Sequence, residues 1–303
     1  MKKLFIAIVA LAAATACSKD DVISIDRQAI GFGNPFVENA VRADYSSSLV
    51  NSFKVYGTVT GNGNTVTLYN GATVTRGDKN YGDAWSCTQT EYWVPSCSYA
   101  FQAVVDGAIA DGKIAYTVGQ DSDNDGISDL LYATAAAETD ANAALKSGSN
   151  TNEDGVVVFN FEHLLSKIGF SFVNGSANTA YGYTITEVSF TGYDSTGTYT
   201  IDTGWDTAVT VSDTVLNFGT GDVTHQIIPG NQTLNVTIAY DILYNGKKIS
   251  ATSVAKKLTY TFAQNTNYNI KVTIPAPGGE IKFTTTTVSG WTNADNDLPL
   301  TLN

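Results

Sequence analysis

Residues 234–249 read LNVTIAYDILYNGKKI, and this stretch decides the fold class. Leu234, Val236, Ile238 and Tyr240 alternate with Asn235, Thr237 and Ala239, the period of two that turns one face of a strand into a core. Asn245-Gly246 then interrupts the run, with strand-like residues on both sides, and Asn-Gly is the dipeptide a two-residue hairpin turn favours. The same alternation returns in Thr65-Val66-Thr67-Leu68-Tyr69, Tyr183-Thr184-Ile185-Thr186 and Leu258-Thr259-Tyr260-Thr261-Phe262. Gly61-Asn62-Gly63-Asn64 and Pro277-Gly278-Gly279 supply further turns. Helix formers are scarce, with one Met and only 15% charged residues. The expectation is an all-β chain in sandwich form. Residues 130–146 depart from the pattern: they are rich in alanine and predict one short helix.

The first seventeen residues, MKKLFIAIVALAAATAC, carry a different message. Two lysines, an apolar run and small residues describe a secretory signal over residues 1–16, and the run is too short to span a bilayer. Cys17 directly after Ala14-Thr15-Ala16 resembles a bacterial lipobox, whose cysteine is acylated and becomes the first residue of the mature chain. Residues 17–26 then read as a lipidated tether. The formal charge is −12, and losing Lys2 and Lys3 with the leader takes it two charges further. Such a surface repels phosphate backbones, which argues against nucleic acid as a partner and leaves the acyl chains to hold the protein at a membrane. Cys87 and Cys97 are the remaining cysteines. In an exported chain they invite one disulfide across a hairpin, worth up to ~3 kcal/mol, the alternative being two free thiols on neighbouring strands.

Ile23, Ile25, Ile30 and Phe32 mark an opening strand over residues 23–32. Composition breaks most sharply at SGSNTNEDG, residues 147–155, which divides the chain into an amino-terminal domain over 27–152 and a carboxy-terminal domain over 153–303.

Several blocks share a further likeness. Trp85, Tyr92-Trp93-Val94-Pro95 and Tyr99-Ala100-Phe101-Gln102-Ala103 come first, then Phe161-Glu162-His163-Leu164-Leu165-Ser166-Lys167-Ile168, then Asn267-Tyr268-Asn269-Ile270-Lys271-Val272 and Ile281-Lys282-Phe283 to Trp291. In this order and spacing the chain resembles the fimbrillin family of Bacteroidales surface pilins. The resemblance implies two transthyretin-like sandwich domains in tandem and export as an outer-membrane lipoprotein. It further implies cleavage after an arginine by a trypsin-like protease, and assembly with other fimbrial subunits by exchange of the released first strand. Arg42, followed by Ala43, fits the cut, since it lies beyond the opening strand. Arg27 falls within that strand, and Arg76 lies beyond several others. The alternating tail from Leu298 to Leu302 suits a donated strand. An uncut, tethered adhesin binding glycan or a host protein is the alternative.

The acidic run around Asp121, Asp123, Asp125 and Asp129 matches the first part of a calcium loop, with Gly126 at the sharp turn. Tyr132 stands where the completing bidentate Glu belongs, so a solvated acidic loop is the competing reading. No other cofactor is indicated. His163 and His225, the only histidines, are far apart. No nucleophile elbow, zincin motif or paired-cysteine zinc spacing occurs, so no catalytic residue is assigned and no enzyme is expected. Trp93 and Trp291 are expected in cores.

Overall fold

The computed structural model describes residues 28–33, 35–37, 50–77, 85–122, 128–146, 150–151, 155–207, 209–221, 223–287, 292–293 and 301–302. All of its regular elements are strands. The first eleven are β1 (Gly31–Phe32), β2 (Phe36–Val37), β3 (Ser52–Gly61), β4 (Asn64–Arg76), β5 (Trp85–Cys87), β6 (Ser98–Val105), β7 (Ile109–Ala110), β8 (Lys113–Thr117), β9 (Leu131–Glu138), β10 (Val156–Val157) and β11 (Asn160–His163). Then follow β12 (Ser166–Asn174), β13 (Tyr181–Thr191), β14 (Tyr193–Thr200), β15 (Gly204–Trp205), β16 (Thr210–Ser212), β17 (Leu216–Asn217) and β18 (His225–Ile227). The last are β19 (Gly230–Tyr244), β20 (Lys247–Phe262), β21 (Thr266–Ile274), β22 (Lys282–Thr287), β23 (Thr292–Asn293) and β24 (Thr301–Leu302).

The first core rests on a seven-stranded sheet in the order β2-β11-β9-β6-β3-β4-β5. Its β3–β4 hairpin turns at Asn62-Gly63, whose φ values of 50° and 74° are those of the mirror-image turn that Asn and Gly adopt readily. Phe53, Val55, Tyr99, Phe101 and Leu131 bury one face. Against that face lies the small parallel sheet β1-β10. The second core is a sandwich of two sheets, β18-β12-β21-β22 with β23, and β17-β13-β19-β20-β24. Ile168, Phe170, Val188, Leu234, Val236, Ile238, Ile270 and Val272 interdigitate between them. The β19–β20 hairpin closes at Asn245-Gly246, φ 48° and 76°, as the sequence predicts.

Three expectations are corrected. Residues 130–146 form no helix; they hold strand β9. Ala133, Ala135 and Ala137 point into the core and sit opposite Ala103, Phe101 and Tyr99 of β6. Small side chains there leave room for the neighbouring aromatic rings, a tertiary demand that overrides alanine's helical propensity.

The division at 152/153 also moves. Strands β10 and β11 complete the first core, so the change from one core to the next falls at Leu164-Leu165. The halves are joined by a fifth sheet, β15-β14-β8-β7 with β16 on β14, in which β8 from the first half pairs with β14 from the second. Val104, Ile114, Tyr116, Leu130, Leu164, Leu165 and Ile228 fill the core beneath the junction.

Cys87 and Cys97 are both free thiols. Cys87 pairs with Val74, which faces Phe53, whereas the sulfur of Cys97 lies beside Gly61. Eight residues of β3 separate those two points, about 26 Å of strand. A disulfide needs Cα atoms within about 7 Å, so the hairpin expected between them is the wrong pairing.

Candidate functional site

The amino-terminal segment enters the first core as an inserted strand. Ile30 and Phe32 are each only 5% exposed. The ring of Phe32 lies 5.6 Å from Tyr69, 6.3 Å from both Phe53 and Phe101, and stacks on Phe159 at 6.1 Å. One side chain thus contacts rings from β3, β4, β6 and the β10–β11 connection.

The backbone is held on both flanks. Ile30 N donates to Glu91 O at 2.8 Å and Trp93 N donates to Gln28 O at 3.1 Å, while Gly33 N donates to Val157 O at 2.8 Å on the other side. Farther on, Phe36 and Val37 pair in parallel with Asn160 and Phe161, so β2 forms an edge of the seven-stranded sheet. Gly31 is required by the fit: a Cβ there would stand 2.6 Å from Cγ1 of Val156. The part of the expected 23–32 strand that is described is therefore a buried, paired element. The sequence signal that finds it is the alternation of Ile30 and Phe32; the β2 pairing and the glycine fit had no such signal.

A second cluster occupies the junction. Asp129 and His163 are fully buried, and their side chains meet at 2.6 Å, Asp129 Oδ2 to His163 Nδ1. Burial pushes the Asp129 carboxyl up, against the opposing pull of His163. Asp106, also buried, ties the ends of the acidic loop together: its carboxylate accepts from Ser122 N, from Ser122 Oγ at 2.9 Å and from Asp129 N at 3.1 Å. Asp129 therefore faces His163 in the core, which corrects its assignment as a ligand on an acidic loop. Asp121 is half-buried at the loop's start, while Asp123 and Asp125 lie outside the described residues. Among the described residues no three His, Cys, Asp or Glu side chains gather as a metal group. His163 is a packed residue, and Trp93 is buried as expected.

Cys17, Arg27, Arg42, Ala43 and Trp291 lie outside the described residues. Arg76 is 7% exposed, and its guanidinium sits 5.5 Å from the Trp85 ring. In the tail, Thr301 and Leu302 pair with Thr259 and Leu258 of β20. On the outer face of the seven-stranded sheet lies an open groove of about 720 Å³. Its walls include Tyr56, Thr58, Asn70, Gln102, Thr134 and Asn150, and among the described residues no charged side chain lines it.

The sequence matches the profile of a fimbrillin-like family over residues 42–291. No curated protein matches it. Among solved structures, a fimbrial protein from Bacteroides vulgatus is similar at TM-score 0.55 and 16% identity, over 87% of this chain and 99% of that one. A Bacteroides ovatus protein assigned provisionally to cell adhesion is similar at TM-score 0.54 and 15% identity, over 89% and 99%. A Bacteroides uniformis protein of the same provisional assignment gives TM-score 0.50 and 18% identity, over 87% and 98%. At these identities the likeness is one of fold.

Proposed function

The chain belongs to the fimbrillin-like family, and we propose that it is a pilin subunit whose amino-terminal strand is a removable plug. In this reading Cys17 carries lipid, residues 17–26 tether the precursor to the outer membrane, and a protease cuts between Arg42 and Ala43. The cut frees the segment containing Ile30, Phe32, Phe36 and Val37. The vacated slot is lined by Tyr69, Phe101 and Phe159 and flanked by unpaired backbone groups of Glu91, Trp93 and Val157. Such a slot is a template for strand addition from a neighbouring subunit. Each apolar side chain that refills it regains about 1.5–3 kcal/mol.

The observation that carries the reading is the seating of Phe32 among four rings. Arg76 is a poor competitor for the protease because it is buried. Digestion of the purified precursor with a trypsin-like protease tests the idea. One dominant cut after Arg42, followed by SDS-resistant oligomers, is expected; cut chains that remain monomeric overturn it.

A second reading, an uncut surface lipoprotein that binds glycan, is favoured by the outer-face groove, whose amides, hydroxyls and half-buried Tyr56 ring suit a neutral sugar. A glycan-binding screen of the uncut chain against its Gln102→Ala and Asn70→Ala variants separates the two.

A further inference from the structure

The two walls of the slot that holds Ile30 and Phe32 are built unequally. On one side the segment meets residues 91–93: Ile30 N donates to Glu91 O, Trp93 N donates to Gln28 O, and Ala29 bridges Tyr92. This wall is fixed in the first core. Trp93 is buried, with its ring 4.7 Å from Tyr99 and 6.2 Å from Phe101. The next residue is pinned as well, since Val94 N donates to Tyr99 Oη and Val94 O accepts from Thr139 Oγ1. Moving this wall means pulling an indole out of an aromatic cage.

The other wall is β10. It pairs with β1 in a two-stranded sheet, through two residues. Val157 is buried, while Val156 is half-buried. On the far edge of β10 stand residues 150–151: Val157 bridges Thr151, and Val158 N donates to Asn150 O at 3.1 Å. That short piece meets the seven-stranded sheet at Asn150. Its N–H donates to Ala136 O at 2.8 Å, and its side-chain Oδ1 accepts from Ala136 N at 3.2 Å. Asn150 thus grips β9 with a closed pair of bonds and passes its carbonyl to the wall of the slot. Asn150 and Ala136 are both exposed. Exposed backbone bonds with little apolar burial around them are where a fold opens first.

We propose that the slot opens on the β10 side and that Asn150 is the positioning residue that holds it shut. When Asn150 releases Ala136, residues 150–151 and β10 swing outward together. That motion breaks the ladder to β1 and withdraws the Val157 carbonyl that accepts from Gly33 N. The wall at 91–93 keeps its place and gives an incoming strand its register. The proposal rests on the removable-plug reading and supplies its route of release. Asn150 acts through Val158 and Val157, so its effect falls on the rate at which the segment leaves.

The test uses the full chain with Cys17→Ser to remove lipid, cut after Arg42, with the protease then inhibited. Exchange of the cut segment is followed by fluorescence anisotropy of a labelled synthetic peptide spanning residues 26–38, alongside thermal melts. Asn150→Ala should speed exchange about three- to tenfold, the span of one net hydrogen bond. Asn150→Asp keeps an acceptor for Ala136 N and should return the rate close to that of wild type. Tyr99→Phe removes the hydroxyl that holds Val94 on the opposite wall, and it should leave the exchange rate unchanged whatever it does to Tm. Three results overturn the latch: no acceleration in Asn150→Ala, no recovery in Asn150→Asp, or equal acceleration in Tyr99→Phe. If the wild-type segment still exchanges in those cases, the removable plug stands without the latch. A segment that exchanges in no variant overturns both.

Discussion

Phe32→Ala is the sharpest perturbation the structure offers. The side chain is 5% exposed and contacts four aromatic rings, so truncation removes its burial and leaves a cavity that packed neighbours fill only in part. Core Phe→Ala changes cost about 3–5 kcal/mol, and the lost ring pairs place this site in the middle of that range or above it, so about 4 kcal/mol is expected. For a unit of this size that corresponds to a fall in Tm of roughly 10–15 °C. If the segment opens locally, the same energy raises its open population by about 10³, and digestion after Arg42 should accelerate while opening remains fast relative to cleavage. The comparison is Phe283→Ala, a change of the same chemistry in the second core. It should cost a similar Tm but leave digestion in the amino-terminal region unchanged. The assay is thermal unfolding together with time-resolved limited proteolysis of both variants. A loss below about 1 kcal/mol, or equal digestion of the two variants, would refute the plug as the weak point of the first core.

Gly31→Ala should loosen the same segment through its 2.6 Å approach to Val156, and Val156→Ala in the same chain should recover protection from digestion; a double-mutant cycle measures the coupling, and strict additivity would contradict it. Burial raises the Asp129 carboxyl, so between the ordinary aspartate value of about 3.9 and the raised native value the folded state binds more protons than the unfolded one. The contribution of this group to stability is therefore present at low pH and lost as pH rises through that window. Asp129→Asn lacks this loss, and its Tm relative to wild type should climb with pH across the window; thermal melts at a series of pH values check the sign. Both Cys87 and Cys97 should take up iodoacetamide without prior reduction, as mass spectrometry reads directly. Burial raises the Cys87 thiol, so its alkylation should still accelerate above pH 9.

What the sequence disclosed followed local chemistry. The turns at Asn62-Gly63 and Asn245-Gly246 were legible because two consecutive residues that tolerate positive φ leave few other solutions between alternating runs. The alanines of β9 misled because a window of small helix formers carries no sign of Tyr99 and Phe101 on the next strand. The cysteine pair misled for a related reason. A spacing of ten suggests a hairpin, but Cys87 was taken by β4 and Cys97 by the far end of β3. The β8–β14 pairing, which welds the halves together, joins residues about eighty positions apart, and no local period announces it. The candidate site shows the same division. Ile30 and Phe32 were visible as an alternating pair, whereas Gly31, Val156 and the ring cage are properties of the assembled core.

The construction of the amino-terminal segment bears on the proposed release. Its described strand pairing is short: two residues of β1 on β10 and two of β2 on β11, both parallel, with one antiparallel bridge from Ala29 to Tyr92. Parallel ladders are slightly less stable per residue than antiparallel ones, and five paired residues, four of them parallel, give little ladder to break. The holding energy instead resides in Ile30 and Phe32, side chains that a donated strand of alternating pattern can replace one for one. The longest hairpin of the molecule, β19–β20, shows the opposite design, with an antiparallel register running from Gly230 and Phe262 to Tyr244 and Lys247. A strand meant to stay is built in that second way. A segment anchored by two apolar knobs and a few backbone bonds can leave once the chain beyond it is cut, provided that another strand brings equivalent knobs to the slot.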